Sequence, residues 1–440
     1  MAAILPASWS RAAPFICDSC LSRSLRALQP TAPRFLTTAS SQRLSSLQRP
    51  TQFHRKASST AIPIIRSRPF EALALRRQNS STRLLPRSAS SGIAPLPSCR
   101  LISLSGPDTA KFLQGLVTNN VDPHRRAPFY SAFLDARGRV LWDAFIWVDL
   151  ELMEKEGNWA CYIEVDAEEV EALVKHLRRH KLRSKVNIAV VGESEMGVWA
   201  GWGVSPEQLQ SERLVASLVD PRGRNFGVRC LFKGNEAPEN PPVPVVDALQ
   251  YRLRRYLFGI PEGPQEIQRE SALPMECNID LSQGIDFRKG CYVGQELTIR
   301  TKHTGVVRKR ILPVQLYHTT PPPDYDHRDP NTLPNFDPNW GDDLPESGAD
   351  IKQLDEEGSI RKGRAAGKFI TGIGNVGLAL CRLEMMTSMR ISAEGGSWKP
   401  GVEFGIQKGA DGEVIRVKAI VPQWFRERER DMWDKNRTRV

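Results

Sequence analysis

Past residue 92, apolar positions recur with two different periods. Ser105–Leu116 opens on capping residues and sets Phe112, Leu113 and Leu116 on one helical face. Phe129–Asp135 and Arg139–Asp149 predict two strands flanking the turn Asp135–Gly138, with glycine where a positive φ is needed. Trp159–Val165 predicts a strand. Ala167–Lys181 predicts a helix, with Val170, Leu173, Val174 and Leu177 at helical spacing. Val186–Val191 and Gly197–Trp202 have the pattern of buried strands, and Phe226–Phe232 adds another. Val246–Phe258 predicts a helix with Leu249, Leu253 and Leu257 inward. Strand pairs mixed with helices point to an α+β fold, not to alternating βαβ units. Gly367–Arg382 and Val402–Pro422 are glycine-punctuated and β-rich, as in a small barrel. Phe425–Val440 alternates Arg with Glu and Asp and is expected to be a solvated helix or tail.

Two segments break the pattern. Residues 1–92 hold thirteen Arg and Lys56 against Asp18 and Glu71, a net of +12. The whole chain of 440 residues carries +11, so the remaining 348 sum to −1 and the basic balance belongs to this leader. Rich in Arg, Ser and Ala and without a continuous apolar core, it has the composition of a mitochondrial transit peptide. The alternative is a basic disordered arm that binds nucleic acid. Residues 317–357 hold seven prolines and eleven acids against Arg328 and Lys352, a net of −9. That composition predicts a loop or linker, inserted between elements that bury their surface. No apolar run reaches the roughly 18 residues of a spanning helix. The eight cysteines are Cys17, Cys20, Cys99, Cys161, Cys230, Cys277, Cys291 and Cys381. Beyond the Cys17–Cys20 pair they are widely spaced, which argues for a reducing compartment such as the mitochondrial matrix.

Chemistry concentrates in Phe287–Thr301. Gly290 and Gly294 bracket Cys291 in a loop able to bend closely around a ligand. Glu296–His303 has helix-compatible composition, so the thiol is expected near a helix N-terminus. There the dipole, Lys289 and Arg288 would favour the thiolate. Such a sulfur can attack an electrophile, bind a soft metal or hold a sulfur-linked group. A structural cysteine in a tight turn fits the same residues. Gln295 and Glu296 either bond a ligand or close the helix cap.

Lys289-Gly-Cys-Tyr-Val-Gly-Gln-Glu296 resembles the signature of the YgfZ-type family, folate-binding relatives of the glycine-cleavage aminomethyltransferase. Gly106–Asn120, Asp135–Asp143, Arg178–Asn187, Asp220-Pro-Arg222, Tyr251–Arg254, Gly259–Gly263, Leu273–Asn278 and Gly305–Arg310 resemble further pieces of it. The cover runs over about 93–315 and resumes near 360–383. The resemblance implies a pseudo-symmetric aminomethyltransferase-like folate-binding domain with a folate-sized central channel, followed by a small C-terminal β-barrel. We accordingly divide the chain at 1–92, 93–312 and 313–440. With the leader, the resemblance also implies a late role in 4Fe–4S cluster assembly in the matrix, with A-type carrier proteins as partners. Cys291 is then the functional thiol. Lys289, Gly290, Tyr292, Gly294, Gln295, Glu296 and Asp143 are candidate ligand-binding residues, and tetrahydrofolate is a candidate ligand.

The rival reading is a folate-dependent aminomethyl transferase. Its relatives carry an adjacent acidic pair in the hairpin, where this chain has Trp142 beside a single Asp143. A non-catalytic factor on a transferase-derived fold is the expectation. Nucleic-acid binding needs a clustered basic face. Arg252, Arg254 and Arg255, and Arg308-Lys309-Arg310, are too short for one and are expected to lie on a solvated or acid-binding face. His176 and His180 share a helix face without a third ligand. A cluster ordinarily takes four thiolates, and the signature supplies one, so the expectation is a transient cluster and none permanently bound.

Overall fold

The computed structural model describes residues 87–209, 211–322, 333–341, 344–392, 396–409 and 413–437. The leader up to residue 86 lies outside them, and with it the Cys17–Cys20 pair and the targeting expectation. In chain order the first nine strands are β1 (Gly92–Pro95), β2 (Cys99–Ser105), β3 (Phe129–Leu134), β4 (Val140–Val148), β5 (Cys161–Asp166), β6 (Asn187–Val190), β7 (Met196–Trp202), β8 (Leu214–Val219) and β9 (Val228–Lys233). They form two antiparallel sheets, ordered β1-β7-β9-β8 and β3-β4-β5-β2-β6. Strand β4 shows why the second sheet is a wall with two buried faces. Phe145 and Trp147 point into the core shared with the first sheet, whereas Ala144, Ile146 and Val148 pack under the helices Thr109–Gln114 and Val170–Lys181. The helix Ala248–Phe258 closes the shared core with Tyr251, Leu253 and Tyr256. Among the described residues no helix is long and apolar enough to cross a membrane.

The C-terminal strands are β10 (Lys309–Tyr317), β11 (Asp350–Gln353), β12 (Gly367–Ile373), β13 (Val376–Arg382), β14 (Phe404–Lys408) and β15 (Glu413–Ala419). They close a barrel in the order β10-β13-β12-β11-β14-β15, with β15 pairing back onto β10. Closure leaves no free sheet edge.

Four expectations are corrected here. The acidic stretch is not wholly loop: β11 lies inside it and supplies the fully buried Ile351, a barrel strand that the surrounding prolines and acids disguised. Val186–Val191 is not a buried strand, because β6 is a sheet edge and Val190 is 49% exposed. The C-terminal segment is a helix, Gln423–Arg437, but not a solvated one. Trp424, Phe425 and Trp433 are buried, and Trp424 Nε1 donates to the Phe258 carbonyl. The short arginine clusters are solvated only in part: Arg252 and Arg308 are exposed, but Arg255 and Arg310 turn inward. Arg255 pairs with Glu266, and Arg310 makes a doubly hydrogen-bonded pair with Asp280 at 2.7 and 2.8 Å. Neither Arg310 nor Asp280 has any exposed side-chain surface. Basic residues next to apolar ones in sequence gave no sign of acids 11 and 30 positions away.

Candidate functional site

The signature loop is pinned on both sides of Cys291. On one side Lys289 is half-buried, and its Nζ donates to the carbonyls of Gln114 (2.8 Å), Val117 (2.6 Å) and Asn119 (2.7 Å). These bonds use all three ammonium hydrogens. Burial pulls Lys289 down to about 7, with Asp286 opposing. On the other side Tyr292 is buried beneath that ammonium, which sits 4.9 Å from the ring centroid. Gly294 follows at φ +79, the left-handed position that starts the helix Gln295–Thr304. A Cβ at Gly294 would strike the Asp135 carbonyl and lie 2.8 Å from Leu134 Cβ, so only glycine lets the loop seat on the hairpin turn. Gln295 Oε1 accepts from the Tyr292 backbone N–H at 3.2 Å and closes the loop.

What remains free is Gly290–Cys291. Both are exposed, and Cys291 is the one exposed thiol among the described residues. Cys161, Cys230, Cys277 and Cys381 are buried, and burial raises each of their pKa values. A side chain at Gly290 would meet no atom within 4 Å, so packing does not demand glycine there. Glu296 is exposed in the first helical turn. Lys289 donates its ammonium to three carbonyls, and Tyr292 is buried in the core. The loop thus presents an exposed thiol between two anchored flanks.

Asp143 lies elsewhere. Its Oδ1 accepts from the Gly263 N–H at 3.2 Å, and its Oδ2 faces the Tyr130 hydroxyl at 3.4 Å. It borders two small cavities, neither lined by a signature residue. The larger, of about 20 Å3, is shared with Glu164, Arg229 and Glu262 and has room for roughly one water. Around it stands an ion cluster that sequence reasoning missed. Glu262 Oε2 accepts from Arg222 (2.6 Å), Arg229 (3.0 Å) and the Tyr251 hydroxyl (2.8 Å). Arg229 also binds Glu164, and Arg222 binds Asp220. Burial alone would raise Glu262, but Arg229, Arg222 and Arg255 hold it well below the usual carboxylate range.

Burial and the Glu262 charge push Asp143 the other way, up to about 6, with Arg222 opposing. The folded state thus keeps this proton to higher pH than the unfolded chain does. Its stabilising contribution is complete below about pH 4 and lost as pH rises through about 6. Asp143→Asn is therefore expected to stabilise the fold at pH 7.5 by about 1–2 kcal/mol, after allowance for the partial exposure of the residue. The gain should shrink toward zero near pH 4.5, as read by denaturant unfolding at the two pH values.

A folate does not fit this centre as it stands. Sites for ligands of drug size enclose roughly 300–1,000 Å3, whereas the cavity beside Asp143 holds about 20 Å3 between guanidinium and carboxylate groups. Trp142, next to Asp143, points to the opposite side of the sheet and donates to Glu169 at 2.7 Å. Asp143 therefore has no acid beside it in the hairpin, and its acidic neighbour in space is Glu262.

Comparison with known proteins places these observations in a family. Residues 308–427 match the family model of the CAF17 C-terminal β-barrel domain. The fold resembles the crystal structure of the glycine cleavage system aminomethyltransferase T from Bartonella henselae. The TM-score is 0.51 at 13% identity, over 76% of this chain and 86% of that one. The α+β, aminomethyltransferase-like fold with its C-terminal barrel is thereby established. Three relatives, each named a mitochondrial iron–sulfur cluster assembly factor IBA57 homolog, align along most of their length. The one from Phaeosphaeria nodorum is 50% identical over 350 residues, 79% of this chain and 83% of its own. That from Aspergillus fumigatus is 44% identical over 82% and 88% of the two chains, and that from Neurospora crassa 41% over 81% and 85%. The chain belongs to the IBA57 family of mitochondrial iron–sulfur cluster assembly factors.

Proposed function

We propose that the chain acts late in the maturation of 4Fe–4S clusters, with Cys291 as the thiol that touches the cluster during hand-over with an A-type carrier protein. One observation carries this reading: a single exposed sulfur on a loop fixed at Lys289, Tyr292 and Gly294, while the other described cysteines are buried or half-buried. Iron–sulfur clusters take thiolate ligands, usually four. Cys291 supplies one, so the others come from the carrier or the recipient, and the cluster is cargo. The rigid loop keeps the sulfur accessible without asking the protein to reorganise, which lowers the cost of a short-lived contact. Aminomethyl transfer gains no support, because the central acids are engaged by Arg222 and Arg229 and a pterin has no room beside Asp143.

The test is reconstitution with a cluster-loaded A-type carrier and an apo-aconitase as recipient, with and without tetrahydrofolate. Cluster transfer that depends on the protein and is unaffected by tetrahydrofolate is the expected result. Peptide mapping after brief iodoacetamide treatment should find Cys291 alkylated well before Cys161, Cys230, Cys277 and Cys381. Rapid folate-dependent aminomethyl transfer, or a stoichiometric stable cluster on the isolated monomer, would replace this reading with another.

A further inference from the structure

A large cavity among the described residues is far from the signature in sequence. It lies at the barrel, encloses about 740 Å3, and falls within the range of pockets for small organic ligands. Tyr317, Trp398, Pro400, Phe404 and Val417 give it an aromatic and apolar wall. One cation in that wall is unusual. Arg426, in the first turn of the helix Gln423–Arg437, is half-buried, and its guanidinium makes no hydrogen bond or ion pair with the described residues. Its Nε is fully buried with no acceptor. Elsewhere in the interior this protein pairs its buried arginines: Arg222, Arg229, Arg255 and Arg310 each bind a carboxylate. An unpaired buried donor is costly and calls for an explanation.

The remaining charges in the pocket sharpen the picture. Glu403 is engaged, accepting from the Tyr317 hydroxyl at 3.1 Å with Arg416 Nε 3.6 Å away. Lys418 Nζ donates to the Pro322 carbonyl at 2.8 Å. Lys399 is exposed at the rim. No acid occupies the first turn of the helix that carries Arg426. Cationic groups therefore outnumber the one neutralised acid, and they stand beside an apolar wall. A guanidinium in that setting suits a planar carboxylate, which it can bind through two parallel hydrogen bonds.

We propose that this barrel cavity is a binding site for a small organic carboxylate with an aromatic or apolar body, and that Arg426 is its anchoring residue. The site is independent of Cys291 and of the assembly reading.

Titration calorimetry of the full chain with naphthoate, its neutral analogue naphthamide, and inorganic phosphate tests this. Naphthoate is expected to bind, the amide and phosphate to bind at least tenfold more weakly, and Arg426→Gln to weaken naphthoate at least tenfold. Arg430→Gln, an exposed position on the same helix, should leave binding unchanged. Thermal unfolding supplies a second reading that a structural role would not give. With no partner lost, Arg426→Gln should unfold at the same temperature as the parent or higher, and naphthoate should raise the transition of the parent alone. Equal binding of amide and carboxylate, or full binding by Arg426→Gln, overturns the proposal. So does naphthoate binding that appears only when residues 323–332, with Asp324, Asp326 and Asp329, are deleted. The chain's own acidic segment would then be the occupant.

Discussion

Cells that carry only Cys291→Ser should lose the activity of mitochondrial 4Fe–4S enzymes such as aconitase by about 10–100-fold or more, a range that even outer-sphere changes at metal sites reach. The protein itself should be as abundant and as stable as the parent. Cys291 is exposed and no described contact depends on its sulfur. Surface substitutions of that kind change stability by at most about 0.5 kcal/mol, so the unfolding temperature should move by less than roughly 2 °C. The informative contrast is Lys289→Met. It leaves the thiol in place but strips three backbone carbonyls of their donor, and the loop loses one of its anchors. That variant should lose activity together with stability, and Cys291 should show altered alkylation kinetics. Normal aconitase in Cys291→Ser cells removes the sulfur from the mechanism.

The bent loop and helix start around Cys291 were legible because their signal is local. Two glycines, a lysine and a helix start lie within eight positions, and the loop geometry follows from their chemistry. The turn at Gly138 and the helix Val170–Lys181 were legible for the same reason, each being a period or a φ requirement within one element. What Lys289 does was not, since its acceptors are some 170–175 residues away. The central ion cluster was still better hidden. Asp220-Pro-Arg222, Tyr251–Arg254 and Gly259–Gly263 each stood out as a piece of family pattern, yet nothing in the chain said that Arg222, Tyr251 and Glu262 share one set of hydrogen bonds. The strand inside the acidic segment failed for a compositional reason. Four residues of pattern cannot outweigh seven prolines and eleven acids when a whole window is weighed at once.

Arg229→Met should destabilise the fold by about 3–5 kcal/mol, the range seen when one partner of a buried ion pair is removed. The guanidinium is 1% exposed and holds two carboxylates at once. Glu164 would keep the Trp147 Nε1 donor at 2.8 Å but lose its counter-charge. Glu262 would retain Arg222 and Tyr251. The damage should therefore fall mainly on Glu164, and the double variant Arg229→Met, Glu164→Gln should recover part of the loss, because a neutral amide needs no counter-ion. The stacking of Arg229 over the Phe145 ring, 4.5 Å from its centroid, is lost in either case, so recovery should be incomplete. Denaturant midpoints of the parent, both single variants and the double variant measure the coupling directly. Additive losses would mean that Arg229 and Glu164 are spectators of each other, and that the centre is held by apolar packing instead of by charge. A partial rescue ties the two sheets together through charge, since Glu164 belongs to β5 and Arg229 to β9. A ligand able to enter this centre would then have to displace interactions that hold the domain together.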